Sequence, residues 1–173
     1  LEVPVQTVLE AARLAKRAGA IVVLDPAPPA ALPDELLGLV DAIKPDASEA
    51  RALTGIDVVD RETARQAAGV LLERGVGAVA IEAGDAGNLL AWPGGESWNP
   101  LVQVASVDAT GAGDAFAAAL AVALAEGRSL AEAGPFANAA AALATTAFGA
   151  QAGLPAREAV LALLPAEARR IWV

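Results

Sequence analysis

Between Val107 and Phe116 the chain reads Val-Asp-Ala-Thr-Gly-Ala-Gly-Asp-Ala-Phe. Two glycines flank one alanine directly ahead of a long apolar stretch. Glycine lets backbone approach a ligand closely, and the first-turn N–H groups of a helix point outward at the positive end of its dipole. Such a turn makes an anion site. Asp114 sits inside it, where a carboxylate would repel a bound anion, so it needs another purpose. The chemistry that fits is a general base that takes a hydroxyl proton while the amides steady charge growing on a transferred phosphoryl group. A structural alternative uses the same residues: Thr110 caps the helix, the glycines permit tight packing, and Asp114 complements the dipole.

Two further stretches carry acids at meaningful spacing. Asp46-x-x-Glu49 precedes a short helical pattern and has the form of a capping box, in which each side chain bonds the other residue's N–H. Ile81-Glu-Ala-Gly-Asp-Ala-Gly87 follows a strand pattern and reads as a glycine turn.

What the chain lacks narrows the chemistry. Cys and His are absent, which removes disulfides, thiol nucleophiles, histidine-bound zinc and the triads built on His. The net charge of −9 repels phosphate backbones and anionic lipid, so neither nucleic acid nor a membrane surface is an expected partner. The longest uncharged apolar run, Ala115 to Ala125, covers 11 residues. A membrane-spanning helix needs roughly 20. A cytoplasmic location is the expectation. The chain begins Leu-Glu-Val-Pro without Met, and we read it as a piece of a longer protein.

The elements that must position these residues follow from periodicity and punctuation. Helical spacing runs from Pro4 to Ala18, and Ala20–Leu24 is a β-branched run of the kind buried in a parallel sheet. A short helix is predicted over Leu32–Leu39 and a strand over Val40–Ile43. Helices follow from Asp46 to Thr54 and from Asp60 to Glu73, each closed by glycine. Strands are expected at Ala78–Ile81 and Asn88–Trp92, a hairpin-like turn at Pro93–Gly95, and an extended stretch at Gln103–Val107. Three helices close the chain: one to about Glu126, one over Leu130–Ala147, and one from Pro155 to about Leu164. Alternating strands and helices imply an α/β fold in three layers, α/β/α, around a mostly parallel sheet. No linker marks a boundary, so residues 1–173 are expected to form one domain portion.

Val107–Phe116 resembles the second signature of the ribokinase-like (PfkB) carbohydrate kinases. The likeness extends through Leu1–Pro4, Asp25-Pro-Ala-Pro28, Leu32–Leu37, Lys44–Ala50 with Leu53-Thr-Gly55, and Phe148-Gly-Ala-Gln151, in the family's order. The resemblance covers the C-terminal half or somewhat more of such a kinase. It places the first strands, a β-sheet lid and most sugar contacts outside this sequence. It implies ATP with Mg²⁺, a sugar substrate, and in-line transfer to a primary hydroxyl, ribose being the expected sugar. Asp114 would be the catalytic base and would touch the sugar. Gly111, Ala112 and Gly113 would form the anion hole. Glu49 would hold Mg²⁺ through water, next to Asp46, where the family usually has Asn. Glu82, in place of the usual Thr, would lie with Gly84 and Gly87 in the nucleotide loop, and Asn138 would border the adenine. Glu2 would hydrogen-bond the sugar. A monovalent cation such as K⁺ would sit on Asp108, Thr110, Ala144, Ala147, Gly149 and Gly153, the last standing where the family has Ser.

The resemblance leaves other substrates open: a fructokinase, a ketodeoxygluconate kinase or a nucleoside kinase. A non-catalytic nucleotide-binding piece is the alternative from another class. The piece alone is expected to lack sugar kinase activity, and a homodimer is expected only in a longer chain that carries the lid.

Overall fold

Short apolar runs become strands wherever a neighbour completes the hydrogen bonding. The computed structural model describes residues 1–172, and for Asp85 the backbone alone. The chain divides into two units, Leu1–Pro100 and Leu101–Val173.

In the first unit, β1 (Val23–Leu24), β2 (Ala42–Ile43), β3 (Val79–Glu82), β4 (Asn88–Trp92) and β5 (Gly95–Asn99) form one sheet in that order. β1, β2 and β3 pair in parallel, with Leu24 opposite Ile43 and Ile43 opposite Val79. β4 runs antiparallel to both its neighbours, so it alone is reversed. The parallel register sets the carboxyl ends of β1 and β2 side by side, which puts Asp25 and Lys44 on adjacent strand exits. Helices α1 (Val5–Arg17), α2 (Asp34–Leu37), α3 (Ala47–Thr54) and α4 (Arg61–Glu73) accompany the sheet. The core holds Leu36, Leu37, Ile43, Leu71, Val79, Ile81 and Leu89, all fully buried. Each large side chain buried this way stabilises the unit by roughly 1.5–3 kcal/mol.

Caps fix the helix starts. Asp46 accepts from the Glu49 N–H and Glu49 accepts from the Asp46 N–H, both at 2.8 Å. Asp60 accepts from the Thr63 N–H at 2.8 Å, and Gly55 ends α3 at φ 78°. One strand, β5, lies outside those expected from the sequence. Gly95–Asn99 pairs as a strand, and the expected extended stretch Gln103–Val107 joins no sheet. Gly94, at φ 89°, reverses the chain directly after β4, so the next five residues pair back on it.

The second unit is helical: α5 (Ala112–Ala125), α6 (Leu130–Ala144), α7 (Arg157–Leu163) and α8 (Ala166–Arg169). α5 and α6 pack along each other through Ala115, Ala119 and Ala123 on one side and Ala133, Ala137 and Ala140 on the other, all buried. Small side chains let the two backbones approach closely. α6 stops at Ala144, short of the expected Ala147, and beyond it the Thr145 and Thr146 hydroxyls donate to the Ala142 and Leu143 carbonyls at 2.8 and 2.7 Å.

Candidate functional site

The turn that opens α5 is built by two loops bonded to each other. The N–H groups of Val107 and Asp108 both donate to the Thr145 carbonyl, at 2.7 and 3.1 Å. The Asp108 carboxylate accepts from the Thr110 hydroxyl at 2.7 Å, the Gly149 N–H at 2.8 Å and the Thr110 N–H at 3.0 Å. These donors, the Thr110 hydroxyl foremost, hold its carboxyl below the usual carboxylate range. Gly111 is the N-cap at φ 83°, and a Cβ there would lie 2.9 Å from Ala150 Cα. No side chain caps α5: the N-cap position falls on Gly111, not on Thr110, whose hydroxyl donates to Asp108.

The backbone donors of this turn are unevenly used. The Ala112 N–H donates to the Ala109 carbonyl at 3.1 Å, and the Ala115 N–H to Gly111 at 2.9 Å. Among the described residues, the N–H groups of Gly111, Gly113 and Asp114 find no acceptor. The Asp114 side chain is exposed and, among the described residues, makes no hydrogen bond or ion pair. Free donors, a positive dipole end and a free carboxylate thus share one helical turn.

Ala144, Ala147, Gly149 and Gly153 belong to the same unit. Gly149 takes φ 83° to reach Asp108. A Cβ at Gly153 would collide with the Ala144 carbonyl, which accounts for glycine there. Asn138 lies on α6 and is buried.

The first unit gathers its acids at the carboxyl ends of its parallel strands. Glu49 is buried, and burial pushes its carboxyl up; Asp46 and Asp25 push the same way, while the Asp46 N–H and Lys44 oppose. Lys44 is also buried, with Nζ 3.2 Å from Asp25 Oδ2. Asp25 Oδ1 is buried and receives no donor. The Glu82 N–H donates to the Pro45 carbonyl at 3.3 Å, which sets the Glu82 turn beside Asp46. That turn closes through Ala83 N–H to the Gly87 carbonyl at 2.9 Å, with Gly84 at φ 55° and Gly87 at φ 121°. The Glu82 side chain is exposed, and so is Glu2 near the chain start, where the Leu1 ammonium donates to the Ala27 carbonyl.

The sequence reading gave Asp25 and Lys44 no role of their own. The only local signal was a Lys directly after an apolar run. Their pairing depends on a register that sets residues 19 apart opposite each other. Among the described residues, no group of three or more acids is arranged to hold a metal ion directly.

The model of the family described as "pfkB family carbohydrate kinase" matches residues 1–157. Ribokinase from Haemophilus influenzae is 41% identical over 164 residues, covering 95% of this chain and 54% of that protein. The structure of Arabidopsis thaliana ribokinase complexed with ribose and ATP matches with a TM-score of 0.86 at 36% identity, over 94% of this chain and 53% of that one. An Escherichia coli ribokinase II structure in complex with ATP and Mg²⁺ matches with a TM-score of 0.76 at 26% identity, over 92% and 53%. The chain thus spans about half the length of the relatives it matches.

Proposed function

The chain belongs to the pfkB family of carbohydrate kinases, and from that premise we propose that it carries the nucleotide and phosphoryl-transfer half of an ATP-dependent sugar kinase, with ribose as the acceptor. The observation that carries the reading is the opening turn of α5. There the N–H groups of Gly111, Gly113 and Asp114 are free beside a free, exposed carboxylate.

Asp114 accepts the proton of the sugar's primary hydroxyl as the hydroxyl oxygen bonds to the γ-phosphorus and the bond from that phosphorus to the β–γ bridging oxygen breaks, releasing ADP. The free amides steady the charge on the transferred group. Ala112 N–H is already bonded to Ala109, so the donors are the glycines on either side of it and Asp114 itself. Asp108 fixes the turn by tying Thr110 to Gly149.

Magnesium fits the first unit's residues as a hydrated ion. The donors at the strand ends are hard carboxylate oxygens, one of them the buried, donor-free Asp25 Oδ1. Glu49, oriented by the Asp46 N–H, would hold the ion through water; bound there, it neutralises phosphate charge. Asn138 borders the adenine, Gly84 and Gly87 shape the nucleotide loop, and Glu2 bonds the sugar. K⁺ sits on the carbonyls of Thr110, Ala144, Ala147 and Gly149, beside Asp108, whose carboxylate the Thr110 and Gly149 donors hold in place.

Titrating the ¹⁵N-labelled chain with MgATP tests the nucleotide part. The amide resonances of Gly111, Gly113 and Asp114 are expected to move, while Ala112 stays nearly still. Movement confined to other regions would overturn the assignment.

A further inference from the structure

Trp172 is the most heavily engaged aromatic of the second unit. It is 5% exposed and stacks on Phe136 of α6 with ring centroids 4.1 Å apart and planes 20° apart. Two guanidinium groups lie on the same ring: Arg128, 5.0 Å from its centroid, and Arg157, 5.4 Å away. Arg157 also binds Glu126 at the end of α5 through two contacts of 2.5 and 2.8 Å. One indole therefore joins the α5–α6 turn, α6 and α7. The segment that delivers it folds back on α7, where Arg169 donates to the Ala162 and Leu164 carbonyls at 2.8 and 3.2 Å.

The place it holds is a weak one. Pro135 lies inside α6 and has no N–H, so the Ala131 carbonyl loses its partner one turn earlier. The start of α6 relies on the Ser129–Glu132 box, where the Ser129 N–H donates to Glu132 at 2.8 Å, and on side-chain packing. Phe136 follows Pro135 directly, and Asn138 lies two residues further on. Trp172 is also costly to bury, because its Nε1 has no acceptor among the described residues. The stack is retained at that cost.

We propose that Trp172 is a positioning residue for the nucleotide: the segment from Pro165 to Trp172 is a strap whose indole locks the Pro135 region of α6 against the end of α5, fixing Asn138 relative to the Gly111–Asp114 turn. The inference rests on the kinase reading for its ligand alone; the mechanical part does not depend on it.

Trp172→Phe keeps the stack and removes the unpaired N–H. Trp172→Leu keeps apolar volume and removes the face on which the guanidiniums lie. Hydrogen exchange and MgATP calorimetry on the 173-residue chain, well below the midpoint of the weaker variant, separate the possibilities. In Trp172→Leu, exchange at residues 136–140 and 112–116 is expected to quicken about tenfold while the first unit is unchanged. MgATP affinity is expected to fall about fivefold, the worth of one aromatic pair. Trp172→Phe should match the parent in both. Faster exchange confined to residues 165–172, or a lower midpoint with unchanged MgATP affinity, would overturn the strap as a positioning device. If the parent chain binds no MgATP, the kinase reading fails, and the exchange measurement alone still decides whether the strap locks α6.

Discussion

The acids around the strand ends of the first unit and those of the α5 turn in the second have different surroundings. In the first, Asp46 and Glu49 cap each other and Asp25 meets a buried Lys44 through one oxygen, while Glu82 is exposed. In the second, the only charged residues between Leu101 and Ala125 are Asp108 and Asp114. Asp108 has three protein donors, and Asp114, six residues on, has none among the described residues. A carboxylate left free beside free amides is available to something the chain does not contain. On the proposed reading, the first unit supplies charge placement and the α5 turn the reaction chemistry.

That contrast can be broken most severely at Gly111. Gly111→Val places a β-branched side chain at φ 83° against Ala150. Transfer by the whole protein is expected to fall at least ~100-fold as the amides are displaced. Hydrogen exchange should register the damage in the second unit and leave the sheet unchanged.

Glu49 sharpens the comparison from the other side. Glu49→Gln keeps an oxygen for the Asp46 N–H, so the thermal midpoint should barely move. Transfer is expected to fall ~10–100-fold, with a higher magnesium requirement in steady-state kinetics. Glu49→Ala should add a stability loss of about 1 kcal/mol as the box is lost. Equal midpoint losses in both variants would make Glu49 a cap alone.

The smallest effect concerns a carboxylate with a purely structural role. Glu96 on β5 is held down to about 2 by Arg65 first and Arg61 second. A depressed carboxylate contributes stability above the ordinary glutamate range, and loses it as the pH falls toward its folded value. Arg65→Ala should return the Glu96 titration, followed by NMR, toward the ordinary range without affecting nucleotide binding.

Much of this arrangement was legible in the sequence because local spacing encodes it. Asp46 and Glu49, Asp60 and Gly55 mark helix ends through contacts spanning a few residues, and the glycines ahead of α5 announce a turn that only glycine adopts. What escaped was non-local. The Asp25–Lys44 pair requires the register of β1 on β2. The use of the Ala112 N–H depends on how Ala109 turns, and β5 was hidden because Gly95–Asn99 lacks a run of β-branched residues. The expected three-residue anion hole and the observed set of free amides differ for that reason.

The most direct measurement compares binding with transfer in Asp114→Asn. The whole protein carrying this change should bind MgATP within about twofold of the parent, because the free amides remain, and should lose phosphoryl transfer to ribose by ~100- to 10,000-fold, the range of a general base. Turnover near that of the parent would contradict the assignment of Asp114 as the group that takes the proton.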